Sequence, residues 1–243
     1  MMADNVRPPQ TVNRLIIPKQ PRMGPIVRVK DLVKRYDGRP AVLDGVTFEV
    51  SEGEFVMIYG RSGCGKTTLL NLLGGLDRPT AGLIAIEGQE IVGMPEDQLA
   101  KLRLRKIGFV FQDYNLLPDL TVRENTELPL RLSKVQDDGR VSEILSKFDI
   151  AQIANETANK ISGGEAQRTA IARAMMNSPK IILADEPTGN LDAENTENVM
   201  RIFELVTKDY GTTIVLATHD KDLAKHSSSR VYLENGKATL ETD

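Results

Sequence analysis

Gly60-Arg61-Ser62-Gly63-Cys64-Gly65-Lys66-Thr67 sets three glycines, an ammonium and a hydroxyl at a spacing that suits a polyphosphate. Glycines let successive N–H groups turn toward one point with no Cβ in the way. A helix beginning there adds unpaired donors and the positive end of its dipole. Lys66 would reach the β- and γ-phosphates as a point charge, and the Thr67 hydroxyl would ligate Mg²⁺, with Thr68 next in the same turn. An apolar run, Ile181-Ile182-Leu183-Ala184, ends in Asp185-Glu186, which supplies two carboxylates. Asp185 suits Mg²⁺, and Glu186 suits a water attacking a γ-phosphate. His219 closes another apolar run, where it would bind the γ-phosphate and orient that water or else be structural. Gln112 closes a third and reads two ways, as an amide touching metal or water or as a polar edge residue.

These residues need a frame in which strands end side by side. Glu54–Tyr59 reads as the strand entering the glycine loop and Thr68–Leu76 as the helical pattern leaving it, with a buried helix ending at Gly74-Gly75. Upstream, the period-two pattern from Ile26, continued to Tyr36, and the run Val42–Val50 flank Asp37-Gly38 and predict antiparallel β-structure. Leu83–Ile86 is a further strand. A short helix after Pro95 keeps Leu99 and Leu102 inward, with Lys101, Arg103, Arg105 and Lys106 as a solvated face. Ile107–Phe111 delivers Gln112. Residues 113–159 read as a helical insertion whose loop carries Leu116, Leu117 and Leu120. Ser162-Gly163-Gly164-Glu165 opens a helix, Ala166–Met176. Strand Ile181–Ala184, helix Ala193–Tyr210 and strand Thr213–Ala217 then alternate as a parallel sheet requires, and a hairpin about Asn235-Gly236 follows. At the carboxyl edge of such a sheet Asp185, Glu186, His219 and Gln112 meet the glycine loop.

The 243 residues carry a net charge of −3, from 31 Lys and Arg against 34 Asp and Glu. That balance gives no broad positive field, so a nucleic-acid partner is not expected. No apolar run reaches the length of a membrane helix, and no signal pattern opens the chain, so the expected location is cytoplasmic. Residues 1–25 are polar and proline-rich and read as a mostly disordered arm, leaving 26–240 as one domain. The single cysteine, Cys64, lies inside the glycine loop and reads as a small filler.

With these motifs in place the chain resembles the ATP-binding cassette (ABC) ATPases from about Ile26 to Leu240. Gly60–Thr67 is similar to that family's Walker A and Ile181–Glu186 to its Walker B. Ile161–Glu165 resembles its signature, Asn190-Leu191-Asp192 its D-loop, Gln112 its Q-loop and His219 its switch histidine. Tyr36 falls on the aromatic that stacks on adenine. Glu165 stands where many members carry Gln, and Ile161 where Leu is commoner. The resemblance implies an α/β P-loop core (26–112 and 160–240) with a mixed, mainly parallel sheet, an antiparallel β-subdomain and a helical subdomain at 113–159. It implies ATP and Mg²⁺ as ligands. Ser162, Gly163, Gly164, Glu165 and Asp192 would meet the nucleotide bound by a second copy, in a head-to-tail dimer. It also implies an integral membrane permease as partner, placing the chain peripherally on the inner face of the membrane. The stretches Arg105–Pro118, Gly74–Asp77 and Asp185–Asp192 are similar to the lipoprotein-release, macrolide-export and cell-division group. Alternatives within the family are a DNA-repair or chromosome-maintenance ATPase, against which the lack of sustained heptads between Lys66 and Ser162 speaks, and a nucleotide switch that does not hydrolyse.

Overall fold

The computed structural model describes residues 24–241, so the expected N-terminal arm lies, except for Gly24 and Pro25, outside the described residues. Alternating burial along β1 (Val27–Lys34) and β2 (Leu43–Val50) creates one apolar face on an antiparallel ribbon. β1 also pairs antiparallel with β4 (Ala81–Ile86), and the two-residue β5 (Gln89–Glu90), which the sequence did not signal, completes a four-stranded sheet in the order β2-β1-β4-β5.

The second sheet is built from runs apolar on both faces. β3 (Phe55–Tyr59), β6 (Ile107–Phe111), β7 (Ile181–Asp185) and β8 (Thr213–Thr218) are joined by β9 (Ser229–Glu234) and β10 (Lys237–Glu241) in the order β10-β9-β3-β8-β7-β6. All neighbours except β9 and β10 run parallel. β3 lies between β8 and β9, with five paired positions on one side and four on the other.

Residue parity sorts this sheet's two faces into two cores. Phe55, Met57, Ile182, Ala184, Ile214 and Leu216 face α3 (Val122–Ser133), α4 (Arg140–Lys147), α5 (Gly163–Met175) and α6 (Ala193–Tyr210). Val56, Ile58, Ile181, Leu183, Val215 and Ala217 face α1 (Lys66–Leu73), α2 (Glu96–Lys106) and the antiparallel sheet. Burying the Phe, Met, Val, Ile and Leu side chains among them contributes roughly 1.5–3 kcal/mol each.

The starts of α1 and α5 differ from the sequence reading. α1 starts at Lys66 rather than Thr68 and ends at Gly74, as the Gly74-Gly75 pair signalled, with Gly75 at φ 61°. α5 starts at Gly163, directly after its Ser162 cap. The basic face of α2 is more than solvated: Arg103 donates to Gly75 O at 2.8 Å and pairs with Glu96, and Lys106 pairs with Glu87 at 2.7 Å. Ahead of α3, the loop with Leu116, Leu117 and Leu120 is fixed by buried Asn125. Its amide donates to Leu117 O, Leu120 O and Thr121 O and accepts from Leu117 N–H. Leu117 nevertheless stays 49% exposed.

Candidate active site

The glycine loop follows β3 and is pressed against its surroundings. A Cβ at Gly60 would run into Leu233 O of β9, and one at Gly65 would lie 3.1 Å from Val42 O. Gly63 and Gly65 take φ 78° and 108°, values that favour glycine. Gly65 caps α1 without a side-chain acceptor, so no side chain occupies the helix's first donors. Lys66 is buried; its Nζ donates to Gly60 O at 3.0 Å and lies 3.4 Å from Glu186 Oε1. Arg61, Ser62, Gly63 and Cys64 line an open hollow of about 460 Å³ with Ala41, Val42 and the β9–β10 turn.

Asp185 and Glu186 end β7 beside this loop. Burial pushes the Asp185 carboxyl up, and a hydrogen bond with Thr67 and the charge of Lys66 oppose that rise. Its Oδ1 is buried without a hydrogen-bond partner, as a carboxylate oxygen reserved for a cation would be. Glu186 takes φ 45° and donates its N–H to Ala217 O at 2.8 Å. This turn aims its side chain at His219, whose Nδ1 lies 2.9 Å from Glu186 Oε2 and whose N–H points to the same oxygen at 3.3 Å. Both oxygens of Glu186 are therefore engaged, one by Lys66 and one by His219.

The structure thus gathers Lys66, Thr67, Asp185, Glu186 and His219 at one place. Gln112 stands next to them, but its Nε2 donates to Asn190 Oδ1 and Asn190 Nδ2 donates to Gln112 O, both at 3.2 Å. Sequence reading placed Asn190 in a motif without finding this pairing, since nothing local signals a contact so far along the chain.

Ser162 to Glu165 sit elsewhere in the chain's own fold, against Tyr114, Leu191 and Asn195. Ser162 Oγ accepts from Glu165 N–H, and the Glu165 carboxylate accepts from Ser162 N–H at 2.8 Å and Oγ–H at 2.7 Å. Those Ser162 bonds hold the Glu165 carboxyl below its usual range. Asp192 caps α6 by accepting from Asn195 N–H at 2.8 Å. The turn after Gln112 is held open by Arg173, which donates to Asn115 O at 2.5 Å and Tyr114 O at 2.8 Å, both residues at positive φ. Arg173 was not recognisable as a site support, because arginine on a helix ordinarily means a solvated face.

Tyr36 follows β1 and is 41% exposed. Its hydroxyl donates to Asp77 Oδ2 at 2.9 Å, and the Lys34 ammonium lies 4.5 Å from its ring centroid.

The family model described as ABC transporter matches residues 43–189. A protein of Thermotoga maritima named an uncharacterized ABC transporter ATP-binding protein is 45% identical over 221 residues, covering 88% of this chain and 94% of its own. The macrolide export ATP-binding/permease protein MacB of Syntrophobacter fumaroxidans is 42% identical over 219 residues. The chain spans only 31% of that relative's length. Among solved structures, the cassette MJ0796, seen as a dimer in a post-hydrolysis state bound to ADP and Pi, superposes with a TM-score of 0.81 at 40% identity, over 89% of this chain and 98% of its own. CbiO1 of Clostridium perfringens superposes with a TM-score of 0.82 at 28% identity, over 89% of this chain and 88% of its own.

Proposed function

The chain belongs to the ABC transporter family and is an ATP-binding cassette ATPase, and from that premise we propose that it hydrolyses ATP between two copies of itself to drive a membrane permease. The observation that carries this reading is the double engagement of Glu186 by Lys66 and His219 beside a glycine loop with open donors. In this reading Gly60–Thr68 cradles the phosphates, with Lys66 turning from Gly60 O toward them. Glu186, released from Lys66, takes a proton from the attacking water. His219, held by Glu186, keeps that water and the γ-phosphate aligned. Thr67, Asp185 and Gln112 fit Mg²⁺, given the unpartnered Asp185 Oδ1, and the ion would offset charge on the β- and γ-oxygens. Tyr36 stacks on the base.

Ser162, Gly163, Gly164, Glu165 and Asp192 have their neighbours outside this cluster. We assign them to the partner copy's γ-phosphate, in a head-to-tail pair of the kind seen for MJ0796. Glu186→Gln keeps the shape and removes the base, so hydrolysis should fall by roughly 10²–10⁴ while an ATP-dependent dimer accumulates. Adding Ser162→Arg should abolish that dimer. Light scattering with and without ATP reads this out, and wild-type turnover with ATP-independent elution would overturn it.

Among the described residues no helix is long and apolar enough to cross a membrane. An apolar groove of about 650 Å³ lies among α2, α3 and β6, lined by Leu76, Phe109, Leu128 and Leu132, of which Leu132 is 70% exposed. We assign it, with Leu117, to a short helix of the permease, because the relative spanning both functions carries ATP-binding and permease parts in one chain. Leu132→Glu or Leu117→Glu should spare the isolated ATPase and uncouple it in the complex; full coupling would place the permease elsewhere. This reading puts the protein in the cytoplasm, on the inner face of the membrane, in an export, lipoprotein-release or mechanotransmission system.

A further inference from the structure

One carboxylate ties the loop bearing Tyr36 to the segment that follows α1. Asp77 Oδ1 accepts from Lys34 Nζ and from Arg78 N–H, each at 2.7 Å, and Oδ2 accepts from the Tyr36 hydroxyl at 2.9 Å. Lys34 also donates to Arg78 O at 2.8 Å, and its side chain is only 10% exposed. The pairing of Thr80 N–H with Val33 O, at 2.8 Å, is the backbone link that brings these segments together. Burial opposes the Asp77 charge, but the bonds from Lys34, Arg78 and Tyr36 outweigh it and hold the carboxyl below its usual range.

An exposed aromatic ring on a loop loses rotamer freedom when it stacks on a ligand, and that cost weakens binding. Here the hydroxyl tether and the cation over the ring restrict Tyr36 beforehand. We propose that Asp77 and Lys34 are positioning residues for the nucleotide base: they preset the Tyr36 ring, so the base's share of the affinity depends on them. This rests on the reading that Tyr36 stacks on the base.

The test compares ATP with inorganic tripolyphosphate, which keeps the phosphates and has no base, by titration on the full chain. Tyr36→Phe removes only the tether and leaves the Lys34–Asp77 pair intact. It should weaken ATP about three- to tenfold, raise KM with kcat unchanged, and leave tripolyphosphate unaffected. Asp77→Ala should do the same, and the double variant should be no worse than either single one. If Asp77→Ala does not fold, Tyr36→Phe still decides. Wild-type ATP affinity in Tyr36→Phe, with a clear loss in Tyr36→Ala, overturns the inference and leaves base stacking standing. Wild-type affinity in Tyr36→Ala removes base stacking itself. An equal loss for tripolyphosphate makes these residues part of the general scaffold and also overturns the inference.

Discussion

The glycine-bearing starts of α1 and α5 face the phosphate question in opposite ways. α1 starts from Gly65 with no side-chain cap and has a buried lysine as its first residue, and the loop before it is wedged against Leu233 O at Gly60 and Val42 O at Gly65. α5 starts from Ser162, with a reciprocal cap to Glu165 and side chains of Tyr114 and Asn195 against its glycines. The first start leaves its donors open inside a rigid frame. The second has its capping donors taken and side chains, not backbone, as its nearest neighbours. A bound phosphate therefore finds open donors at α1, whereas under the proposed head-to-tail pairing α5 would meet one only on a second copy.

The largest break in this contrast should come from Lys66→Met, which removes the one cation of the α1 start. Charge-assisted contacts are worth about 1.5–3 kcal/mol each, so monomer affinity for ATP should drop roughly 10–100-fold. Ser162→Ala should leave that affinity unchanged. Equilibrium binding at concentrations below any dimerisation separates them, and equal losses would erase the distinction.

Glycine substitutions sharpen the same comparison. In Gly60→Ala the new methyl meets a backbone carbonyl, so the loop or β9 must move, at about 1–3 kcal/mol. In Gly164→Ala it meets the Asn195 side chain rather than backbone, and that side chain can turn away only by giving up its amide's bonds to Asp192. Thermal unfolding should show Gly60→Ala well below Gly164→Ala; the reverse order would mean the α5 start is the stiffer one.

The smallest effect concerns acid. Ser162 holds the Glu165 carboxyl below its usual value, so this cap's contribution is complete above the unfolded pKa, roughly 4.3, and is lost as pH falls through the depressed folded value. Ser162→Ala should flatten the acid limb of a stability-versus-pH curve below about pH 5. A parallel downward shift at all pH values would assign the cap no titrating role.

The contrast also separates what the chain's letters disclose. Strand β3, the glycine loop and α1 are contiguous, and so are Ser162 and the helix it caps, so local spacing names them. Asp185, Glu186 and His219 were legible because parallel strands end on one edge. By contrast, the Gln112–Asn190 pairing, Arg173 under the Tyr114 turn and Asp77 beneath Tyr36 join residues far apart in the chain. No periodicity carries that information. β5 and the Gly163 start of α5 were missed because two residues are too few to show alternation and glycine disfavours the helix interior that it nonetheless opens.

The in-register pairing of β3 with β8 and β9 has a mechanical meaning. A pull along β3 has to shear five pairings on one side and four on the other together, whereas prising the free end of the edge strand β10 away from β9 opens their pairs one at a time, like a zip. The strand that carries the glycine loop is thus held on both sides against axial force, as are β7 and β8 with five pairings on each side, and strain generated at the phosphates passes into the molecule with little give.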